Sequence, residues 1–178
     1  MSAAINYARL SIDDASKTLA FCDSYSRLPA LLEIRHQMAE SDWLRLLGDE
    51  WSGFDNISHH IDGLIDSPLC WMFELGARVK HEMMTTAEQA AFNALPDTFT
   101  VYRGCHCVNK WGLSWTLSRE IAEEFPTLNR YQRRDQQALL ITAQVKKSEV
   151  IAVKLDREES EIITRHPKCI SIRHIESE

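Results

Sequence analysis

The chain has 178 residues, 44% of them hydrophobic, and a formal net charge of −6, enough apolar material for an ordinary core in one domain or in a small domain with a helical extension. No window approaches the roughly 18 apolar residues of a membrane span, and the opening MSAAINYARLSIDDAS lacks the basic start and apolar run of a secretory leader, so no membrane partner and a cytoplasmic location are expected. The 5 cysteines are odd in number and scattered, which points to reduced thiols rather than a disulfide framework.

The charge is unevenly placed. Residues 1–97 carry 7 Lys and Arg against 15 Asp and Glu, whereas residues 98–178 carry 13 against 11. A protein that tracks nucleic acid through its phosphates shows a basic stripe, and only Arg130, Arg133 and Arg134 cluster here, so nucleic acid is disfavoured as a partner.

In chain order, the first half reads as helical. Leu28, Leu31, Leu32, Ile34 and Met38 recur near helical spacing after Pro29, and Trp43, Leu44, Leu46 and Leu47 continue until Gly48 interrupts. Ile57, Ile61, Leu64 and Ile65 form a further apolar stripe ending at Ser67-Pro68, and Leu69 to Met84 makes another. A last helix is expected over Thr86 to Leu95, with Thr86 and Gln89 as a capping box and Ala87, Ala90, Ala91, Phe92 and Leu95 as its inner face.

After Pro96-Asp97 the period changes to two. Thr98 to Arg103 reads as a strand ended by Gly104, which delivers Arg103 to its mouth. Gly112 to Thr116 is a second extended piece, with Ser114 and Thr116 two apart and so on one face. Trp115, between them, is expected to pack inward. Ser118 then caps a short amphipathic helix carrying Ile121, Ala122 and Phe125 and cut off at Pro126. Ala138 to Val145, Val150 to Val153 and Ile170 to Ile175 read as strands, with a turn at Lys146-Lys147-Ser148. Ile162-Ile163, directly after an acidic run, places Glu161 at the entrance to a strand.

Three of these pieces, in this order, resemble the mono-ADP-ribosyltransferases, whose signature is an arginine, a Ser-x-Ser/Thr strand and a Glu-x-Glu: Tyr102-Arg103-Gly104, Ser114-Trp115-Thr116 and Glu159-Ser160-Glu161. The resemblance spans about residues 96–163; residues 1–95 carry no motif of the family. It implies an α+β fold, in which a helical N-terminal region, residues 1–97, packs on a split mixed β-core, residues 98–178, that binds NAD as co-substrate. It further implies transfer of ADP-ribose to a macromolecular acceptor with release of nicotinamide. The acceptor would be a protein, with arginine favoured by the Glu-x-Glu form, or RNA or DNA. Small members of this type act as toxins or in conflict between phage and host, so the acidic helical half would suit a neutralising protein partner. Transfer to water, as an NAD glycohydrolase, and an inactive NAD-binding module stand as alternatives.

The residue types suit that chemistry. Arginine presents a fork of donors matched to phosphate oxygens, and a glycine lets backbone approach a flat ring. Loss of nicotinamide develops oxocarbenium character at the ribose, and a carboxylate bonded to the 2′-hydroxyl stabilises that state more than the ground state. By resemblance Glu161 takes this role, Arg103 clamps the pyrophosphate and Gly104 bonds the carboxamide. Glu159, or Glu158 beside it, handles the acceptor; Ser114 holds the catalytic glutamate, and Tyr102, Trp115, Thr116 and Phe125 complete the donor site. Thr116 and Trp115 stand where the family has serine and threonine. The polar segment Thr127 to Gln137 would cover the donor phosphates with one of its arginines, or meet RNA through Tyr131. Cys105-His106-Cys107 lacks the companion pair that structural zinc requires, so no metal is expected. His59 and His60 are adjacent and so point apart on a helix.

Overall fold

A computed structural model describes residues 9–55, 57–60, 82–128, 131, 133, 135–156, 160–165 and 167–175. The first element among the described residues is helix α1 (Ile12–Leu19), started by Ser11, whose hydroxyl accepts the Asp14 N–H at 3.2 Å, and it buries Ala15 and Leu19. Helix α2 (Arg27–Glu33) buries Leu28 and Leu31 and gives way to a tighter turn at Arg35–Gln37, so the apolar run from Leu28 to Met38 is two short pieces. Helix α3 (Glu40–Glu50) buries Trp43, Leu44, Leu46 and Leu47, and Trp43 Nε1 donates to Leu31 O at 2.8 Å. It does not stop at Gly48, where the Met83 carbonyl occupies the space a Cβ would need. Of the next apolar stripe only Ile57 is described, in a short turn Ile57–His60; the remainder, through most of Leu69 to Met84, lies outside the described residues.

Helix α4 (Thr86–Ala94) has its capping box one residue earlier than the sequence suggests: Thr85 is the cap, accepting from Glu88 N at 3.3 Å while Glu88 returns a bond to Thr85 N at 2.8 Å. The shift changes the inner face. Ala91, Phe92 and Leu95 pack on the core, Ala87 and Ala90 are exposed, and the most buried position is Glu88.

The strands are β1 (Thr98–His106), β2 (Ser114–Thr116), β3 (Ala138–Lys146), β4 (Val150–Lys154), β5 (Glu161–Thr164) and β6 (Lys168–His174), with helix α5 (Arg119–Glu124) after β2. β1 continues through Gly104 because β3 pairs with it along its whole length, from Thr98↔Lys146 to His106↔Ala138. Ser118 caps α5 through Ile121 N at 3.2 Å, and the chain carries on past Pro126 as one further turn, Phe125–Thr127. The sheet order is β4-β5-β2-β1-β3-β6, and every pairing is antiparallel. The α+β class stands, but the expected mixed core is antiparallel and the expected split is not a gap. The two halves are joined at one registered pair, Tyr102↔Thr116.

One hydrophobic cluster runs through both halves of the chain, bringing Trp43, Leu47 and Trp51 together with Val101, Val153 and Ile162. A buried ion pair crosses it: Lys154 Nζ lies 2.8 Å from Glu88 Oε1, both side chains at most 5% exposed. Burial raises the Glu88 carboxyl, but the Lys154 ammonium and the Thr85 and Leu155 amides outweigh it and hold the group below its ordinary value. A depressed carboxyl stabilises the fold above its unfolded-state value, and that contribution fades as pH falls through the folded one. Lys154→Met alone should destabilise the protein by about 3–5 kcal/mol by leaving Glu88 unpaired, whereas adding Glu88→Leu should restore most of the loss. Urea denaturation of the single and double variants measures both.

Candidate functional site

β1 carries Arg103 next to the narrow join of the sheet. Its guanidinium turns back across the start of β2: Nη1 donates to Ser114 O at 2.6 Å and Nη2 to Asn109 O at 3.0 Å. Nε is buried with no hydrogen-bond partner among the described residues. Both acceptors are neutral carbonyls, so the positive charge is oriented by them without being cancelled. Burial pulls the guanidinium below its ordinary range, and the negative charge of Glu161 pulls the other way. Gly112 matters here, since a Cβ at that position would overlap the guanidinium.

Glu161 opens β5, flanked by Thr116 on β2 and Lys154 on β4. Its Oε1 accepts from Trp51 Nε1 at 2.9 Å, and Trp51, just beyond α3, is 1% exposed. Hydrogen bonds to a charged acceptor are the stronger kind, about 1.5–3 kcal/mol. The bond expected from Ser114 is replaced by this one. Register explains why: Ser114 lies opposite Ile163, two positions along, and Thr116 lies opposite Glu161. The Thr116 hydroxyl accepts the Ser118 N–H at 3.1 Å, so it shapes the turn into α5.

Tyr102, Arg103, Ser114, Thr116, Phe125 and Glu161 line a single cavity of about 120 Å³. Trp115 contributes to its wall but is 2% exposed and core-packed, its Nε1 donating to Gly112 O at 3.0 Å. Arg103, Gly104, Ser114 and Phe125 are shared with an adjoining cavity of about 700 Å³. The larger of the two cavities falls within the roughly 300–1,000 Å³ usual for small-molecule sites. At their boundary Phe125 stacks on Tyr131, centroids 4.3 Å apart and planes 18° apart. Gly104 has a reason of its own: the Ala122 carbonyl and Pro126 occupy its Cβ space, so α5 makes the close approach there.

Glu158 and Glu159 lie outside the described residues, as do Arg130 and Arg134. The described carboxylate that lines the smaller cavity with Glu161 is Asp156, which is exposed. Arg133, also exposed, lines the larger cavity together with His59. The His59 and His60 rings meet edge to face at 5.6 Å, and burial, with His59 beside it, pulls His60 below its ordinary value. Within Cys105-His106-Cys107, Cys105 and His106 are buried and Cys107 is exposed, and His106 Nε2 lies 3.2 Å from Tyr131 O, joining β1 to the segment that carries the aromatic stack. No helix among the described residues is long and apolar enough to cross a membrane.

Sequence reasoning missed Trp51, Asn109 and Asp156, and took Gly112 only as the start of a strand. Trp51 had no local signal, sitting in a helical segment with no recognisable motif. The chain matches no family model, no curated protein and no solved structure. Gly104→Ala should force α5 away from β1 and cost about 1–3 kcal/mol or more, read as a lower urea midpoint, because backbone rather than a flexible side chain blocks the added methyl.

Proposed function

We propose that this chain is an NAD-dependent ADP-ribosyltransferase, with a β-core of the ADP-ribosyltransferase type, that moves ADP-ribose to a macromolecular acceptor and releases nicotinamide. The observation that carries the reading is the convergence of Arg103 and Glu161, 58 positions apart by their numbers, on one cavity whose other walls are Tyr102, Ser114, Thr116 and Phe125. A buried guanidinium held by neutral carbonyls suits an arriving pyrophosphate better than it suits solvent. The Glu161 carboxylate on the same cavity suits the ribose.

In this reading the pyrophosphate lies against Arg103, with its free Nε–H and the outer edges of the fork directed at phosphate oxygens. Tyr102 and Phe125 provide flat walls for the nicotinamide end, and the adjoining cavity takes the adenosine. Glu161 accepts a hydrogen bond from the ribose 2′-hydroxyl. As the bond from ribose C1′ to the nicotinamide nitrogen breaks, its electron pair leaves with nicotinamide. The positive charge moves onto C1′ and the ring oxygen, where Glu161 stabilises it. The acceptor's nucleophile forms the new bond to C1′ and loses a proton to a nearby carboxylate. Asp156 lines the same cavity, and Glu159 is two residues before Glu161 in the chain. A protein side chain is the favoured acceptor, given the net charge of −6 and the two described acids that line the cavity, Asp156 and Glu161.

The test is incubation with NAD labelled in its adenylate phosphate and a cell lysate, followed by separate protease and nuclease digestion. Protease-sensitive label is expected; nuclease-sensitive label would instead make RNA or DNA the acceptor. Nicotinamide release with no labelled macromolecule would mean an NAD glycohydrolase, and neither release nor NAD binding would overturn the reading. Glu161→Gln should lower transfer about 10²–10³-fold with the fold retained. Gly112→Ala, which displaces the guanidinium, should act chiefly on the KM for NAD.

A further inference from the structure

We infer that Trp51 is a positioning residue for the Glu161 carboxylate, supplied to the site by the helical half of the chain. The inference rests on the reading of Glu161 as the carboxylate that stabilises the reacting ribose. A glutamate has three rotatable side-chain bonds, and at the end of a strand its carboxylate samples several rotamers unless another group holds it. The Trp51 N–H does so at 2.9 Å, from a ring that is itself 1% exposed and packed edge to face on Phe54, centroids 6.3 Å apart.

The turn that presents Trp51 is tied on both sides. Before it, Glu50 pairs with Arg27 at 3.3 Å, and Arg27 Nη2 also donates to Cys22 O at 3.1 Å. Within it, Phe54 N donates to Trp51 O at 3.2 Å. Just after it, Asp55 N donates to Ser24 O at 2.8 Å, and Ser24 Oγ donates to Asp55 Oδ2 at 2.6 Å. On the other side the Glu161 backbone is fixed between Thr116 and Lys154 in the sheet. Donor and acceptor therefore stand on separately braced frames, which is the arrangement that holds one rotamer at no further cost during reaction. Only one of the two carboxylate oxygens carries this bond, so Oε2 is left for a ribose hydroxyl.

Trp51→Phe keeps an aromatic ring at the position, though a smaller one, and removes the N–H. Nicotinamide release by the full chain should then fall roughly 10- to 100-fold in kcat, with the KM for NAD changed less than about twofold; the thermal midpoint should drop, because a buried ring shrinks and a charge-assisted bond is lost, but the protein should still unfold cooperatively. Wild-type kcat in Trp51→Phe would overturn the inference, as would a loss confined to KM. A second readout needs neither catalysis nor that variant. In ¹⁵N-labelled protein, the Trp51 indole N–H resonance should move upfield in Glu161→Ala, and an unmoved resonance overturns the inference. If wild-type protein releases no nicotinamide while the indole resonance does respond to Glu161→Ala, the enzymatic reading fails, and with it the role assigned to Trp51, although the contact itself stands.

Discussion

The register of β5 is the constraint on which the site depends. Side chains alternate along a strand, so a slip of one residue against β2 and β4 would turn Glu161 away from the cavity and bring Ile162, now fully buried, toward it. Two features oppose that slip. Ile162 and Ile163 are both buried in the shared core, and Lys154, opposite Glu161, is anchored below the sheet to Glu88. A pair of apolar side chains and one ion pair thus decide where a carboxylate points. The helical half contributes twice, through Glu88 on α4 and through Trp51 beyond α3.

Arg103 is held by a different logic. Its partners are carbonyl oxygens of Ser114 and Asn109, and the space for its guanidinium exists because residue 112 is glycine. Carbonyl dipoles orient a cation without neutralising it, so the charge remains available to an anion. The join between β1 and β2 is a single registered pair, Tyr102↔Thr116, and both of its residues line the same cavity as Arg103 and Glu161. The candidate site thus lies beside the shortest strand pairing of the sheet.

Much of the secondary structure was legible from local pattern. The strands over residues 98–103, 112–116, 138–145 and 150–153 and the capped helix after Ser118 lie within a few residues of their observed limits, because turn residues and a period of two are local signals. The errors were also local in appearance but tertiary in cause. Gly48 and Gly104 looked like stops and are instead places where Met83 and Ala122 come close. The cap of α4 moved from Thr86 to Thr85, because Glu88 rather than Gln89 both caps the helix and answers Lys154.

By itself the sequence determined which residue types were available for a site, their order along the chain, and the strands or helices on which most of them would sit. Propensity, capping and alternation act over a handful of neighbours, and each leaves a mark that can be read in one line of sequence. Only the tertiary structure decided that Trp51 meets Glu161 across 110 positions, that Thr116 and not Ser114 lies opposite that glutamate, and that the sheet is antiparallel throughout. Contacts of that range follow from strand register and from the packing of one shared core, and neither leaves a periodic or compositional trace in the segments it joins.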